Sequence, residues 1–186
     1  YLFFDNHEAT EGYAKPKTES NIGVKAGLFV DIKLTATWYI SPIISYSQFG
    51  ATTKLDRTFD VDTVRTYGEE INTYKMDYVT LDPIFEYRPT NRFTLFIGPS
   101  FSYLISNNLL KEVIDNGSIR SDLAYNDEIN GVSDIDVGLM IGTSFFLTEN
   151  FDIDLNLYIG MMELENIDDG YNRFTQSTSL SLGYIF

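Results

Sequence analysis

Phe174-Thr175-Gln176-Ser177-Thr178-Ser179-Leu180-Ser181-Leu182-Gly183-Tyr184-Ile185-Phe186 alternates at period two. One phase carries Phe174, Leu180, Leu182, Tyr184 and Phe186, and the other carries Thr175, Ser177, Ser179, Ser181 and Gly183, with Ile185 as the exception. Successive side chains of a strand point to opposite faces, so this segment is apolar on one side and small and polar on the other. A strand with that polarity fits the wall of a transmembrane β-barrel, which faces lipid outward and a polar interior inward.

The same alternation recurs upstream. Phe151, Ile153, Leu155, Leu157, Ile159 and Met161 oppose Asp152, Asp154, Asn156, Tyr158 and Gly160. Ile135, Val137, Leu139, Ile141, Phe145 and Leu147 oppose Asp134, Asp136, Gly138, Gly142 and Ser144, and Thr148, Glu149 and Asn150 form the hairpin turn between the two runs. Two further hairpins are predicted. One joins Val79–Arg88 to Phe93–Tyr103 through Pro89–Asn91, and the other joins Ile22–Leu34 to Trp38–Ser47 through residues 35–37. Three hairpins and a closing strand make seven, whereas single-chain bacterial barrels have an even strand number. An eighth strand is therefore expected over Tyr1 to about Asn6, pairing with the closing strand. Pro42, Pro83 and Pro99 lie inside these runs, where proline lacks a ladder donor, and they predict either bulges or local breaks.

Composition points the same way. A chain of 186 residues is one domain by size, residues 1–186, and its 13 Tyr and 14 Phe suit interfacial aromatic belts. Its uninterrupted apolar runs are only a few residues, far below the roughly 20 needed for a helical span, so a membrane reading requires a barrel. The absence of cysteine excludes disulfides and thiolate chemistry. The start at Tyr1 reads as a mature form whose leader has been removed.

Short turns alternate with long connections over about 5–21, 50–73, 106–132 and 163–173. Short periplasmic turns and longer extracellular loops are the rule for such barrels, which puts both termini in the periplasm of a cell with an outer membrane. The long connections hold 18 of the 27 acids and 8 of the 13 bases, or −10 of the net −14, so the exposed rim is expected to be acidic. That charge excludes nucleic acid as a partner. Within the strands, Lys25, Lys33, Asp31, Asp82, Glu86, Arg88, Asp134, Asp136, Asp152 and Asp154 all take the inward phase, and none faces lipid. Eight strands leave an interior that side chains fill. The expectation is an interior ionic network of Lys25, Lys33, Asp82, Glu86, Arg88, Asp134, Asp136, Asp152 and Asp154, packed with Phe29, Tyr39, Ile43, Phe96, Met140, Phe146 and Tyr158.

Four stretches resemble the PorT-like small outer-membrane β-barrels of Bacteroidota, which are barrels of the OmpA/OmpX type: GVKAGLFVDIKL from Gly23, LDPIFEYRPTNRFTLFIGPSFSYLIS from Leu81, DVGLMIGTSFFLTENFDIDLNLYIGM from Asp136 and SLSLGYIF from Ser179. The closing segment is also similar to the C-terminal signal read by the barrel-assembly machinery, with Leu180, Leu182, Tyr184 and Phe186 as its residues. The resemblance implies an all-β, eight-stranded antiparallel up-and-down transmembrane β-barrel in the outer membrane. It implies a structural or assembly role, in some members attached to secretion machinery, and no catalytic residues.

Candidates for chemistry are sparse. His7 is the only histidine and could serve as a base, but no nucleophile elbow or recognisable serine partner accompanies it, and a solvated loop residue is the expectation. Asp134, Asp136, Asp152 and Asp154 invite a cation-site reading; pairing with Lys25, Lys33, Arg88 and Arg92 is favoured. Asp127, Glu128, Glu163, Glu165, Asp168 and Asp169 could gather divalent ions or bridge to lipopolysaccharide phosphates, although a solvated rim is favoured. No catalytic, cofactor-binding or metal residue is assigned. The expected function is that of a non-enzymatic accessory or structural subunit of an outer-membrane complex. Its expected partners are outer-membrane lipid and lipopolysaccharide, the barrel-assembly machinery and other outer-membrane proteins. The alternative is a small outer-membrane enzyme acting on lipid or peptide. A soluble lipocalin-like barrel would need the opposite polarity.

Overall fold

The computed structural model describes residues 4–5, 17–61, 64–115, 118–119, 125–127, 132–162 and 173–185. In chain order the strands are β1 (Phe4–Asp5), β2 (Lys17–Ser20), β3 (Lys25–Phe29), β4 (Ile32–Lys33), β5 (Trp38–Val61), β6 (Val64–Thr90) and β7 (Phe93–Asp115). They continue with β8 (Ser118–Ile119), β9 (Tyr125–Asp127), β10 (Ile135–Phe146), β11 (Phe151–Gly160), β12 (Arg173–Phe174) and β13 (Gln176–Tyr184).

The main sheet runs β13-β11-β10-β7-β6-β5, and β2, β3 and β4 then lie one after another along β5 as three pieces of one strand track. Each pairing is antiparallel and joins neighbours in sequence, which is up-and-down topology. β1 pairs with β12, Phe4 opposite Phe174, so the described part of the expected eighth strand meets the head of the closing strand. Tyr1–Phe3 and Asn6 lie outside the described residues. Wall residues at the two edges of the main sheet, Leu28 (74 % exposed) and Leu180 (75 %), are barer than Leu155 (50 %), which has a strand on both sides.

All three short turns are held by the same device. The Thr35 hydroxyl accepts the Thr37 and Trp38 amides, Thr90 accepts the Arg92 amide, and Thr148 accepts the Asn150 and Phe151 amides. A threonine hydroxyl satisfying backbone N–H groups two or three residues on stands in for a ladder bond where the chain reverses.

The long connections differ from expectation. Residues 50–73 and 106–115 are largely strand, for β5 runs to Val61, β6 starts at Val64 and β7 runs to Asp115. β2 adds to one side of this extension, and β8 and β9 add to the other. Apolar and polar residues cease to alternate there because both faces are away from lipid, and the period-two signal fades although the pairing continues.

The prolines form a row. Pro42 is opposite Pro83 and at the level of Val30, and β6–β7 register places Pro83 level with Pro99. β5, β6 and β7 pass through without a bulge at these points, and the breaks fall in the ladders. The Val30 amide donates to the Pro42 carbonyl at 3.3 Å, but Pro42 has no N–H to return, and the first track is interrupted at Val30–Asp31 between β3 and β4. Pro83 and Pro99 occupy a position where each would donate to the other, and the β6–β7 pairing skips Asp82–Ile84.

Candidate functional site in the interior and the outer sheet

The interior is built from the inward phase. Near the short-turn end, the Arg88 guanidinium donates to Asp31 Oδ2 at 2.5 Å and to Glu86 Oε2 at 2.6 and 2.9 Å. It also sits 4.1 Å from the Tyr39 ring centre and 5.4 Å from that of Phe146. Two carboxylates and two aromatic faces thus hold one planar cation, a task for which arginine is better shaped than lysine. Asp31 reaches it from the interruption opposite Pro42 and accepts the Ser41 hydroxyl at 2.8 Å.

Higher in the wall, Lys25 Nζ meets Asp82 Oδ2 at 3.1 Å, and the Ser100 hydroxyl donates to Asp82 Oδ1 at 2.5 Å. Asp82 is fully buried. Beside it pack Ile84, Phe96, Met140 and Ile43. Further round, the Tyr158 hydroxyl donates to Asp136 Oδ2 at 2.8 Å. Two inward glycines make room for the rings: a Cβ on Gly138 would stand 2.5 Å from the Tyr158 ring, and one on Gly142 would stand 2.3 Å from that of Phe96.

The expected network is therefore divided. Glu86 and Arg88 form one ion-paired group, Lys25 and Asp82 form another, and Asp136 is tied to Tyr158. Lys33 is exposed, with its ammonium 5.9 Å from the Tyr39 ring centre, and Asp134 and Arg92 are also exposed. Asp152 is buried beside Gly183, where a Cβ would stand 2.0 Å from Asp152 Oδ1. Among the described residues, one buried oxygen each of Asp136, Asp152 and Asp154 has no hydrogen-bond partner, and no group of three or more acids or histidines has the form of a metal site.

The outward face defines a band. At the short-turn end the Trp38 and Tyr87 rings lie 4.9 Å apart, as do those of Phe151 and Tyr184. Above them come Ile40, Ile44, Leu81, Phe85, Leu95, Ile97, Ile141, Leu155, Leu180 and Leu182, up to Tyr46, Val79 and Tyr103. The Thr143 hydroxyl in this wall donates to the Thr94 carbonyl at 2.9 Å. The strands advance eight to ten residues between the aromatic levels, about 20–25 Å of height at ~3.3 Å per residue and ~40° of tilt, which matches the apolar band of an outer-membrane barrel. Of the expected assembly signal, Leu180, Leu182 and Tyr184 face outward, and Phe186 lies outside the described residues.

Beyond the band, β5, β6 and β7 continue as an outer sheet. Its base is closed on the inward side by Met76, Tyr78 and Leu104, with Phe49, Tyr74, Leu109 and Val132 against them. Higher up, Lys111 pairs with Glu70 at 3.0 Å, Asn72 donates to Glu70, and Asn21 bonds Thr52. Lys54 meets Glu19 at 2.7 Å, and that hydrogen-bonded carboxylate holds the ammonium pKa above its ordinary value. Sequence reasoning missed these pairs because it read their positions as loop. Spacing along the chain carried no signal of the Lys111–Glu70, Asn21–Thr52 and Lys54–Glu19 pairs, because each is brought together only by the register of strand residues that are distant in sequence. His7, Glu128, Glu163, Glu165, Asp168 and Asp169 lie outside the described residues, and of Asp127 only the backbone pairing in β9 is described.

An apolar band, aromatic levels at its edges, a charged interior and up-and-down pairing define an outer-membrane β-barrel protein. Residues 2–166 match the model of the outer membrane protein beta-barrel domain, and the chain belongs to that family. Among solved structures it is similar to the crystal structure of Ail, the attachment invasion locus protein of Yersinia pestis. The identity is 14 %, the TM-score is 0.34, and the match covers 87 % of this chain and 91 % of that one. No curated protein matches the chain.

Proposed function

We propose that this outer-membrane barrel is a non-enzymatic accessory subunit of an outer-membrane complex, with its short turns and termini in the periplasm and its outer sheet outside the cell. The observation that carries the reading is the continuation of β5, β6 and β7 well past the apolar band as one paired sheet. A barrel that only had to span the membrane needs about 10 residues per strand, so the added length offers a rigid surface for a partner. The acidic connections around it favour a basic partner surface and set its rate of encounter. The PorT-like stretches support a place beside secretion or assembly machinery, with other outer-membrane proteins and lipopolysaccharide as neighbours. The barrel-assembly machinery is the partner during insertion, reading Leu180, Leu182, Tyr184 and Phe186.

The test shortens the outer sheet without touching the wall. Thr52 and Thr73 are register partners, so an Asn-Gly turn can join them in place of residues 53–72. In mild-detergent purification from native membranes, the intact chain should co-elute with a defined outer-membrane protein, and the shortened chain should be inserted in equal amount but elute alone. Co-elution of the same protein with the shortened chain would contradict the reading.

A further inference from the structure

The wall has two open sides. On one, the Ile185 amide donates to the Asn150 carbonyl and the Gly160 amide to the Thr175 carbonyl, so the odd-numbered residues of β13 bond β11. Antiparallel pairs alternate, and the N–H and C=O groups of Thr178, Leu180 and Leu182 therefore point away from β11. On the other, the Gln48 amide donates to Val24 and the Val30 amide to Pro42, so the even-numbered residues of the first track bond β5, and Lys25, Gly27 and Phe29 turn theirs away. Among the described residues no strand lies beside either row. Both rows stand at the height of the lipid-facing band, where hydrocarbon offers no water to satisfy backbone groups.

The two rows cannot close on each other in the pattern of the rest of the wall. The first track runs from β2, beside Lys54, to β4, beside Tyr39, and β13 runs from Gln176, beside Ile159, to Tyr184, beside Phe151. Both head for the short-turn end, so a direct seam would be parallel. One strand running the opposite way is antiparallel to both and meets both rows at once. β1 has that direction, with Phe4 opposite Phe174 and Asp5 opposite Arg173, and only Thr175 separates its partner β12 from β13. Continued one for one, this register puts the residue opposite Thr178 four places upstream of Phe4 and the residue opposite Tyr184 ten places upstream, both ahead of Tyr1.

The interior beside this slot lacks a cation. β13 turns Ser181 and Gly183 inward, opposite Asp154 and Asp152, and each of these acids has one buried oxygen without a partner. A Cβ on Gly183 would stand 2.0 Å from Asp152 Oδ1, so this carboxylate lies over β13. Arg88 is committed to Asp31 and Glu86. Buried carboxylates persist when a cation or donors replace their water.

We propose that the slot between β13 and the first track is filled by one further strand of this chain, the segment that leads into Phe4, and that this strand turns a Lys or Arg inward to Asp152 and Asp154. The positions that face Ser181 and Gly183 are seven and nine places upstream of Phe4, and the cation belongs at one of them. The places between them carry apolar side chains to the lipid. This strand is longer than the Tyr1–Asn6 expected from the sequence, and it depends neither on the orientation nor on the complex proposed above.

The experiment starts from the protein purified from native outer membranes, with its amino-terminal sequence read by tandem mass spectrometry of the intact chain. The chain should begin at least ten places upstream of Phe4, with Lys or Arg at one of the two positions. A cysteine five places upstream of Phe4, combined with Ser179→Cys, should form a disulfide within the heat-modifiable monomer. If that pair does not fold, Tyr1→Cys with Ser177→Cys replaces it with the same expected bond. Deleting everything between the leader and Tyr1 should lower the inserted amount to about a tenth or less. Replacing the cation by Gln should lower the urea midpoint, and adding Asp152→Asn and Asp154→Asn should recover it. A mature chain that starts at Tyr1 and folds as a monomer, full insertion of the shortened chain, or uncharged residues at both positions would overturn the proposal. A disulfide that joins two chains would overturn it in favour of a second copy in the slot.

Discussion

Asp82 shows how a charge survives in the wall. Its carboxylate is fully buried, and both oxygens are used, one by Lys25 and one by Ser100. Burying a charge is unfavourable unless partners replace its water, and removing one partner exposes the whole penalty of the other. Asp82→Ala is expected to lower stability by about 3 kcal/mol, because it leaves the Lys25 ammonium and the Ser100 hydroxyl facing an apolar void. The double variant Lys25→Met with Asp82→Leu should recover most of that loss. Urea unfolding in micelles, followed by the fluorescence of Trp38, the only tryptophan, reads both. A double variant no more stable than Asp82→Ala would show that the pair is not what the site depends on. Arg88 is a second case of the same rule, with rings supplying what a third carboxylate would otherwise supply.

At the scale of the element, the proline row is the weakest part of the hydrogen-bond ladder. Three missing donors fall at one height, one facing Val30 and two where Pro83 and Pro99 meet. Both Pro83 and Pro99 take the wall's outward phase, so valine fits each position on polarity. Pro83→Val with Pro99→Val should restore two ladder bonds and raise stability by about 2 kcal/mol, visible as a higher urea midpoint with an unchanged slope. A lower midpoint would mean that the strands at this height are set too far apart to bond. The wall strands were legible in the sequence because lipid on one side and a polar interior on the other impose strict alternation. The outer parts of β5, β6 and β7 were not, because without lipid on the outward face polar and apolar residues mix on both sides, which removes the contrast while leaving the β-branched and aromatic residues that favour strand. The interior was legible by phase but not by partner. Periodicity placed Lys25, Asp82, Glu86 and Arg88 inward, yet only register decides that Arg88 meets Asp31 across 57 positions of sequence, and that Lys33 and Asp134 stay exposed.

For the whole molecule, one sheet is divided into a lipid-facing band and a water-facing extension, with the boundary between Val79 and Asp77 on β6. The absence of cysteine makes a single-cysteine scan along β6 the most direct measurement, with nitroxide labels at alternate outward positions from Ile71 to Tyr87 in a reconstituted bilayer. Collision with oxygen, which concentrates in lipid, should dominate at 79, 81, 83, 85 and 87. Collision with a water-soluble nickel chelate should dominate at 71, 73, 75 and 77, and the crossover should fall between 77 and 79. Lipid exposure continuing through 71–77, or aqueous exposure throughout 79–87, would contradict the account.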